Sequence, residues 1–294
     1  MNRLNLRRIA QFAAVFQEPS GSTSALQFSG GNKRLYGFAA PPRWTESDQF
    51  TADTATLADP TAREFTEAHP AYTHAGRAMA TLLRLDRAVA EVGKDRSLSP
   101  IGQGEKLKAT RADAARQVAI QAGAIRTIRT AHDGRFAAFY DPQAADDLPS
   151  LLLDQEIRAH WRSLNDSART ELAASMASTG ANDRVALALL RGPIPLADPY
   201  AELVTKGWRA AVAKREPAKA AEVAIEAADL DWAEHVVDAT RQYVRPLLAP
   251  DLEDRVARIE IYKAVRDIAG APELFGFADH ERPQLERRIA AAGG

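Results

Sequence analysis

Arg96-Ser-Leu-Ser-Pro-Ile-Gly-Gln-Gly-Glu-Lys-Leu107, RSLSPIGQGEKL, places two glycines and a lysine within five residues. The run is either a loop that cradles a phosphate or the start of a helix, and the choice decides the fold class. A Walker-type loop needs Gly-x4-Gly-Lys-Ser/Thr, so that backbone amides and the ammonium converge on phosphate. Here Glu105 separates Gly104 from Lys106, no Ser or Thr follows, and no buried strand precedes. The dinucleotide fingerprint Gly-x-Gly-x-x-Gly fails at Leu107, where its third glycine would stand. Ser99 is instead a good N-cap, and Pro100 suits a first helical position, where its missing N–H would be unpaired anyway. The stretch opens a helix.

Helical spacing continues on both sides. Ala78, Leu82, Leu85, Val89 and Val92 step by 4, 3, 4 and 3, a heptad seam that Pro70 opens and Gly93 closes. After the capped start, Ala115, Val118, Ala122 and Ile125 step by 3, 4 and 3, and that helix is expected to end near His132. Two such helices joined by a short loop pack antiparallel. Beyond Asp141-Pro142, further helices are expected from Leu148 to Trp161, Ser167 to Ser178 after an Asn165-Asp166 cap, and Val185 to Leu190. Helices over Pro199–Lys214, Pro217–Tyr243, Leu252–Ala269 and Pro283–Ala292 follow, each bounded by Pro, Asp or Gly. The fold class is mainly α: an antiparallel helical hairpin, a second multi-helix layer, and an N-terminal arm containing a small β-hairpin. Gly192-Pro193-Ile194-Pro195 is the firmest break. It divides a helical domain over 60–192 from a C-terminal helical domain over 193–294, with an arm over 1–59.

The arm differs in composition. Leu26 and Phe28 alternate on one side of Gly30-Gly31-Asn32-Lys33, with Leu35, Tyr36 and Phe38 on the other, which predicts a hairpin. Strand is expected in 24–38 alone. The start of the chain, with Arg3, Arg7 and Arg8 before Ile9, Phe12, Val15 and Phe16, reads as an amphipathic arm or first helix; no small-x-small cleavage site follows it. Leu26, Phe28, Leu35, Tyr36, Phe38 and Trp44 must pack on something, either a neighbouring subunit or the chain's own body. The first alternative makes them partner-binding residues.

Composition excludes several chemistries. The 294 residues carry no cysteine, so no disulfide, thiolate nucleophile or cysteine-bound metal forms. The net charge of −1 makes no global case for nucleic acid or an anionic membrane, and no apolar run approaches the ~20 residues of a membrane span. Charge is unevenly placed: Lys94–Arg135 holds nine Lys/Arg against four Asp/Glu, and Glu216–Gly294 ten against sixteen. That asymmetry suits head-to-tail contacts between copies, or two solvated faces of opposite sign. Arg126, Arg129, His132 and Arg135 form a basic stripe near a helix C-terminus, where the dipole favours cations. Phosphate or an acidic partner would be its ligand.

No catalytic set emerges. Asp231, His235 and Asp238 share a helix face, and Glu67, His69 and His74 flank Pro70, but neither group has a recognisable partner set for a metal. Glu222 and Glu226 are helix neighbours, more simply a surface pair than an acid and a base. No serine-nucleophile elbow is present. No catalytic, cofactor-binding or metal-binding residue is assigned.

Leu98-Ser99-Pro100-Ile101-Gly102, closing a short loop and opening an Ala/Arg/Lys-rich helix, resembles small helical virion proteins of tailed bacteriophages. The resemblance covers residues 60–132 and rests on that capped hairpin. It implies an assembly role in the virion, with capsid, portal or tail proteins or further copies as partners, and no catalytic residues. The alternative is a bacterial helical enzyme or regulator, cytoplasmic, whose site is scattered through the chain.

Overall fold

The structure, a computed structural model, describes residues 69–292 apart from 146, 195, 198–199 and 249–254, together with four strand segments near the N-terminus. It is mainly helical. Among the described residues ten helices follow the strands: α1 (Pro70–Lys94), α2 (Pro100–Tyr140), α3 (Leu148–Ser163), α4 (Asp166–Thr179), α5 (Asp183–Leu190), α6 (Tyr200–Arg215), α7 (Pro217–Leu248), α8 (Arg255–Val265), α9 (Ala271–Leu274) and α10 (Arg282–Ala292).

The chain forms two compact units. The first comprises Met1–Thr130 and Ala227–Gly294, and the second Ala131–Glu226. The break expected at Gly192–Pro195 lies inside the second unit. α6 follows the break and packs back on α4 and α5. α2 and α7 each contribute residues to both units.

In the first unit, His69 caps α1: its Nδ1 accepts from the Ala71 N–H at 3.1 Å. Ser99 caps α2, its Oγ accepting from the Gly102 N–H at 3.2 Å, so the opening stretch is a helix start. α1 and α2 run antiparallel, because His74 and Gln121 lie almost equally far from the connecting loop. Their side chains meet at 2.8 Å, with the imidazole Nδ1–H donating to Oε1. Both seams enter the core: Ala78, Leu82 and Leu85 from α1, with Ala115, Val118 and Ile125 from α2. α1 is buried on more than that seam, since Ala71, Tyr72, Ala75, Met79 and Leu83 are buried too. Its exposed side is a charged stripe of Arg77, Arg84, Arg87 and Glu91, so α1 is amphipathic with a wide apolar face. Leu230, Ala233, Val236, Val237 and Val244 of α7 complete it, with Tyr262, Val265 and Phe277 further on.

α2 extends eight residues beyond the expected end at His132. Asp141-Pro142 stops it, since the residue before a proline disfavours the α region. α7 likewise continues past Tyr243 to Leu248, through Pro246. Val244, Leu247 and Leu248 are buried while Pro246 is exposed, so the hydrogen bond that proline removes is lost on the wet side. The helix expected over Leu252–Ala269 ends earlier, at Val265, and Gly270 in the left-handed region (φ 72°) opens the single turn of α9.

Four antiparallel strands, β1 (Ala13–Gln17), β2 (Ala25–Ser29), β3 (Leu35–Ala39) and β4 (Thr56–Leu57), pair in the order β3-β2-β1-β4. β2 and β3 pair with Leu26 opposite Phe38 and Phe28 opposite Tyr36. β1 and β4 lie outside the 24–38 window expected to hold the only strand, and β1 falls where a first helix was an option. Val15 and Phe16 are β-branched and aromatic, residues that favour a strand over a helix.

The second unit has its own core of Trp161, Ala173, Met176, Ala186, Leu189, Val204, Trp208 and Val212. α4 starts at Asn165, whose Oδ1 accepts from the Ala168 N–H at 2.9 Å, and ends at Gly180 in the left-handed region. α4 and α6 approach closely at Gly207, where an added Cβ would stand 2.7 Å from the Met176 carbonyl carbon. The Trp208 indole N–H donates to the Tyr140 carbonyl at 2.8 Å.

Candidate functional site

α3 carries the unusual surface of the second unit. Asp147 caps it, accepting from the Ser150 N–H at 2.7 Å and the Ser150 hydroxyl at 2.9 Å. Those two hydrogen bonds, the backbone one first, hold its carboxyl below the ordinary aspartate range. Only Asp154 and Trp161 of this helix are buried. Trp161 joins the core edge-on to Tyr200, ring centroids 5.6 Å apart. The Asp154 carboxylate meets Arg184 at 2.6 Å and Arg191 at 3.6 Å, which ties α3 to α5. With the inner face so fixed, the leucines point out: Leu148 is 67% exposed, Leu151 45%, Leu152 51% and Leu153 44%. An exposed apolar cluster of this kind marks a protein-contact surface more often than an idle one.

The same stripe of α3 continues into a cavity of about 610 Å³. Arg158, Arg162, Arg169, Trp161, Leu189 and Tyr200 are among the residues around it. Arg158 Nη1 donates to the Ala188 carbonyl at 3.0 Å. Arg169 donates to the Trp161 and Arg162 carbonyls at 3.0 and 2.7 Å and to Asp166 at 3.2 Å.

The residues singled out from sequence are distributed differently. Phe38 is buried in the first unit's core, its ring edge-on to Tyr243 at 5.7 Å. It therefore packs on its own chain and is not an open partner contact. Leu26, Phe28, Leu35 and Tyr36 lie on strands whose backbone alone is described, and Trp44 lies outside the described residues. The basic stripe meets the chain's own acidic residues. Arg129 pairs with Glu234 at 3.0 Å and with Asp231, and these carboxylates, Glu234 first, raise its pKa. Arg135 pairs with Glu226, and Arg126 donates to the Ala269 carbonyl at 3.4 Å. Arg129 and Arg135 thus pair with acidic residues of the same copy.

Asp231 is held by Arg129 and Asp238 by Arg241, which explains both without a metal. Among the described residues no three His, Asp or Glu side chains converge as a metal site would require. His132 is buried, its Nε2–H donating to the Val223 carbonyl at 3.2 Å. No helix among the described residues is long and apolar enough to cross a membrane. Comparison with family models, with curated proteins and with solved structures finds no match to this chain.

Sequence reading missed the leucine face and the arginine cavity, although a signal for the first was present. Leu151-Leu152-Leu153 are consecutive, and consecutive helix residues diverge by about 100°, so three together cannot face one core. Arg158 and Arg162 stand at i and i+4 on one face, but Leu189 and Tyr200 are brought to them only by folding.

Proposed function

We propose that the chain is a non-enzymatic assembly protein, a bacteriophage virion component such as a minor capsid, decorating or head-tail protein, that binds other protein subunits through the leucine face of α3. The observation that carries the reading is the exposure of Leu148, Leu151 and Leu152, which share one side of a helix anchored elsewhere by buried Asp154 and Trp161. Burying such side chains against a partner removes apolar area from water at about 25 cal/mol per Å². The capped, Ala-rich helical hairpin, which resembles small helical virion proteins, supplies the virion part of the proposal.

The test is sedimentation. The full chain is expected to pellet with assembled particles, and L151S/L152S to stay folded by circular dichroism but remain in the supernatant. A wild-type chain that stays soluble and monodisperse when particles are pelleted overturns the virion reading. A second reading, a helical regulator, is favoured by the arginine-lined cavity. A folded chain that binds a small ligand and no protein would select it.

A further inference from the structure

The cavity beside α3 has the features of a receptor for an amphipathic anion, a role separate from the assembly surface. Gln155, Arg158, Ala159 and Arg162 stand at successive steps of 3, 1 and 3 along α3 and form one wall. Leu189 and Leu196 with the rings of Trp161 and Tyr200 make the rest largely apolar. Arginine is the only charged residue among its described lining residues, and it occurs three times. Cavities of about 300 to 1,000 Å³, apolar with a few placed polar groups, suit small organic ligands, and 610 Å³ falls within that range.

Arg158 is the organising group. One N–H of its guanidinium is fixed on the Ala188 carbonyl. Its stem runs past Gly192, where an added Cβ would stand 3.2 Å from the Arg158 Cδ. The half-buried side chain is therefore held in place, and no carboxylate pairs with it among the described residues. A guanidinium presents several N–H donors in a planar fork, so donors remain for an oxyanion beyond the one on Ala188. Arg162, one turn on, is exposed and adds a second positive charge at the same wall. Arg169 is held by three hydrogen bonds, to the Trp161 and Arg162 carbonyls and to Asp166, and its charge is already paired with that carboxylate.

We propose that this cavity binds a small molecule with one oxyanion head, carboxylate or sulfonate, on an apolar, ring-sized body. The head sits at Arg158 and Arg162, and the body lies against Trp161, Leu189 and Tyr200.

The test uses the full chain and two dyes of nearly the same shape. Anilinonaphthalene sulfonate carries the anionic head, and phenylnaphthylamine carries the rings alone. Titration followed by fluorescence is expected to give the sulfonate at least a tenfold tighter Kd. Hydrogen bonds to charged groups are worth about 1.5–3 kcal/mol, which converts to a roughly tenfold to hundredfold weakening of the sulfonate in R158Q/R162Q. The neutral dye should bind that variant as it binds wild type. Ala159→Phe, which fills the cavity from an exposed wall position, should abolish binding of both dyes and keeps the test valid if the arginine variant misfolds. L151S/L152S should bind both dyes unchanged. Equal affinity for the two dyes, sulfonate binding indifferent to R158Q/R162Q in a folded protein, survival of binding in A159F, or its loss in L151S/L152S would each overturn the proposal.

Discussion

Gly207 leaves no room for a methyl group, because the backbone of Met176 lies where its Cβ would go. Gly207→Ala must push α4 and α6 apart, and overpacking of this kind costs about 1–3 kcal/mol. Gly123 is the control: an added Cβ meets nothing within 4 Å, so Gly123→Ala gains helix propensity and stabilises by about 0.5–1 kcal/mol. Urea unfolding of the two variants should move the midpoint in opposite directions, and a shared direction would mean that the close approach at Gly207 is not real. Neither role is legible in the sequence, where both glycines stand inside apolar-patterned helices. Tyr72 is a similar case. Its hydroxyl donates to the buried Asp229 at 2.9 Å, across 157 residues of chain. Tyr72→Phe removes a donor from a buried carboxylate and should cost about 1–3 kcal/mol, measured in the same way. No local pattern announces a pair so far apart, whereas Ser99 and Asn165 were readable because a cap and its amide lie three residues apart.

At the scale of the element, local chemistry set the helix starts, and packing carried two helices past their expected ends. α2 and α7 outlast their expected termini because Phe136, Phe139 and Tyr140 in one, and Leu247 and Leu248 in the other, have neighbours to pack on. α1 shows the converse. Its heptad seam was legible, but the burial of Tyr72, Met79 and Leu83 beside that seam depends on α7, some 140 residues on. The start of α10 offers a pH test. Glu281 accepts from the Ala278 N–H at 3.0 Å and from Arg258 Nη2 at 2.8 and 2.9 Å. The Ala278 hydrogen bond first, then the charge and hydrogen bond of Arg258, lower its pKa against partial desolvation. A folded pKa below the unfolded value means that the stabilisation is complete above the ordinary glutamate pKa of about 4.3 and is lost as pH falls through the lower folded value. Thermal unfolding by circular dichroism should therefore show wild type more stable than Glu281→Gln at neutral pH, with the difference closing on acidification. A difference that stays constant down to about pH 3 would remove the carboxylate from the account.

The described residues form two cores, and what each holds bears on assembly. Phe38 belongs to the first, so the N-terminal region is anchored on its own chain at that residue. Phe38→Ala should destabilise by about 3–5 kcal/mol, the usual cost of emptying a buried aromatic site, and deletion of 1–55 should lower Tm. A truncated chain as stable as the full one would restore the arm as a free tether. Arg129 and Arg135 have carboxylates within the same copy, so the charge asymmetry visible in the sequence is partly internal. Assembly through the leucine face should accordingly be insensitive to salt, whereas exposed charge pairs are screened beyond about 8 Å at physiological ionic strength. Sedimentation across a salt series checks this. The leucine face was half legible: the leucine run says that something apolar must point outward, and only the fold says which side.

The second unit is an insertion, since residues 131–226 fall between two portions of the first. On the ribosome this reverses the order of completion. The inserted unit has emerged whole while α1 and the front of α2 still lack the α7 residues that close their core. At about 5–20 residues per second, the gap between the end of α1 and Leu230 amounts to roughly seven to twenty-seven seconds of synthesis. For that interval Tyr72, Met79 and Leu83 face the nascent-chain environment with their α7 covering not yet made, and holding them soluble falls to the cell's chaperones rather than to the fold.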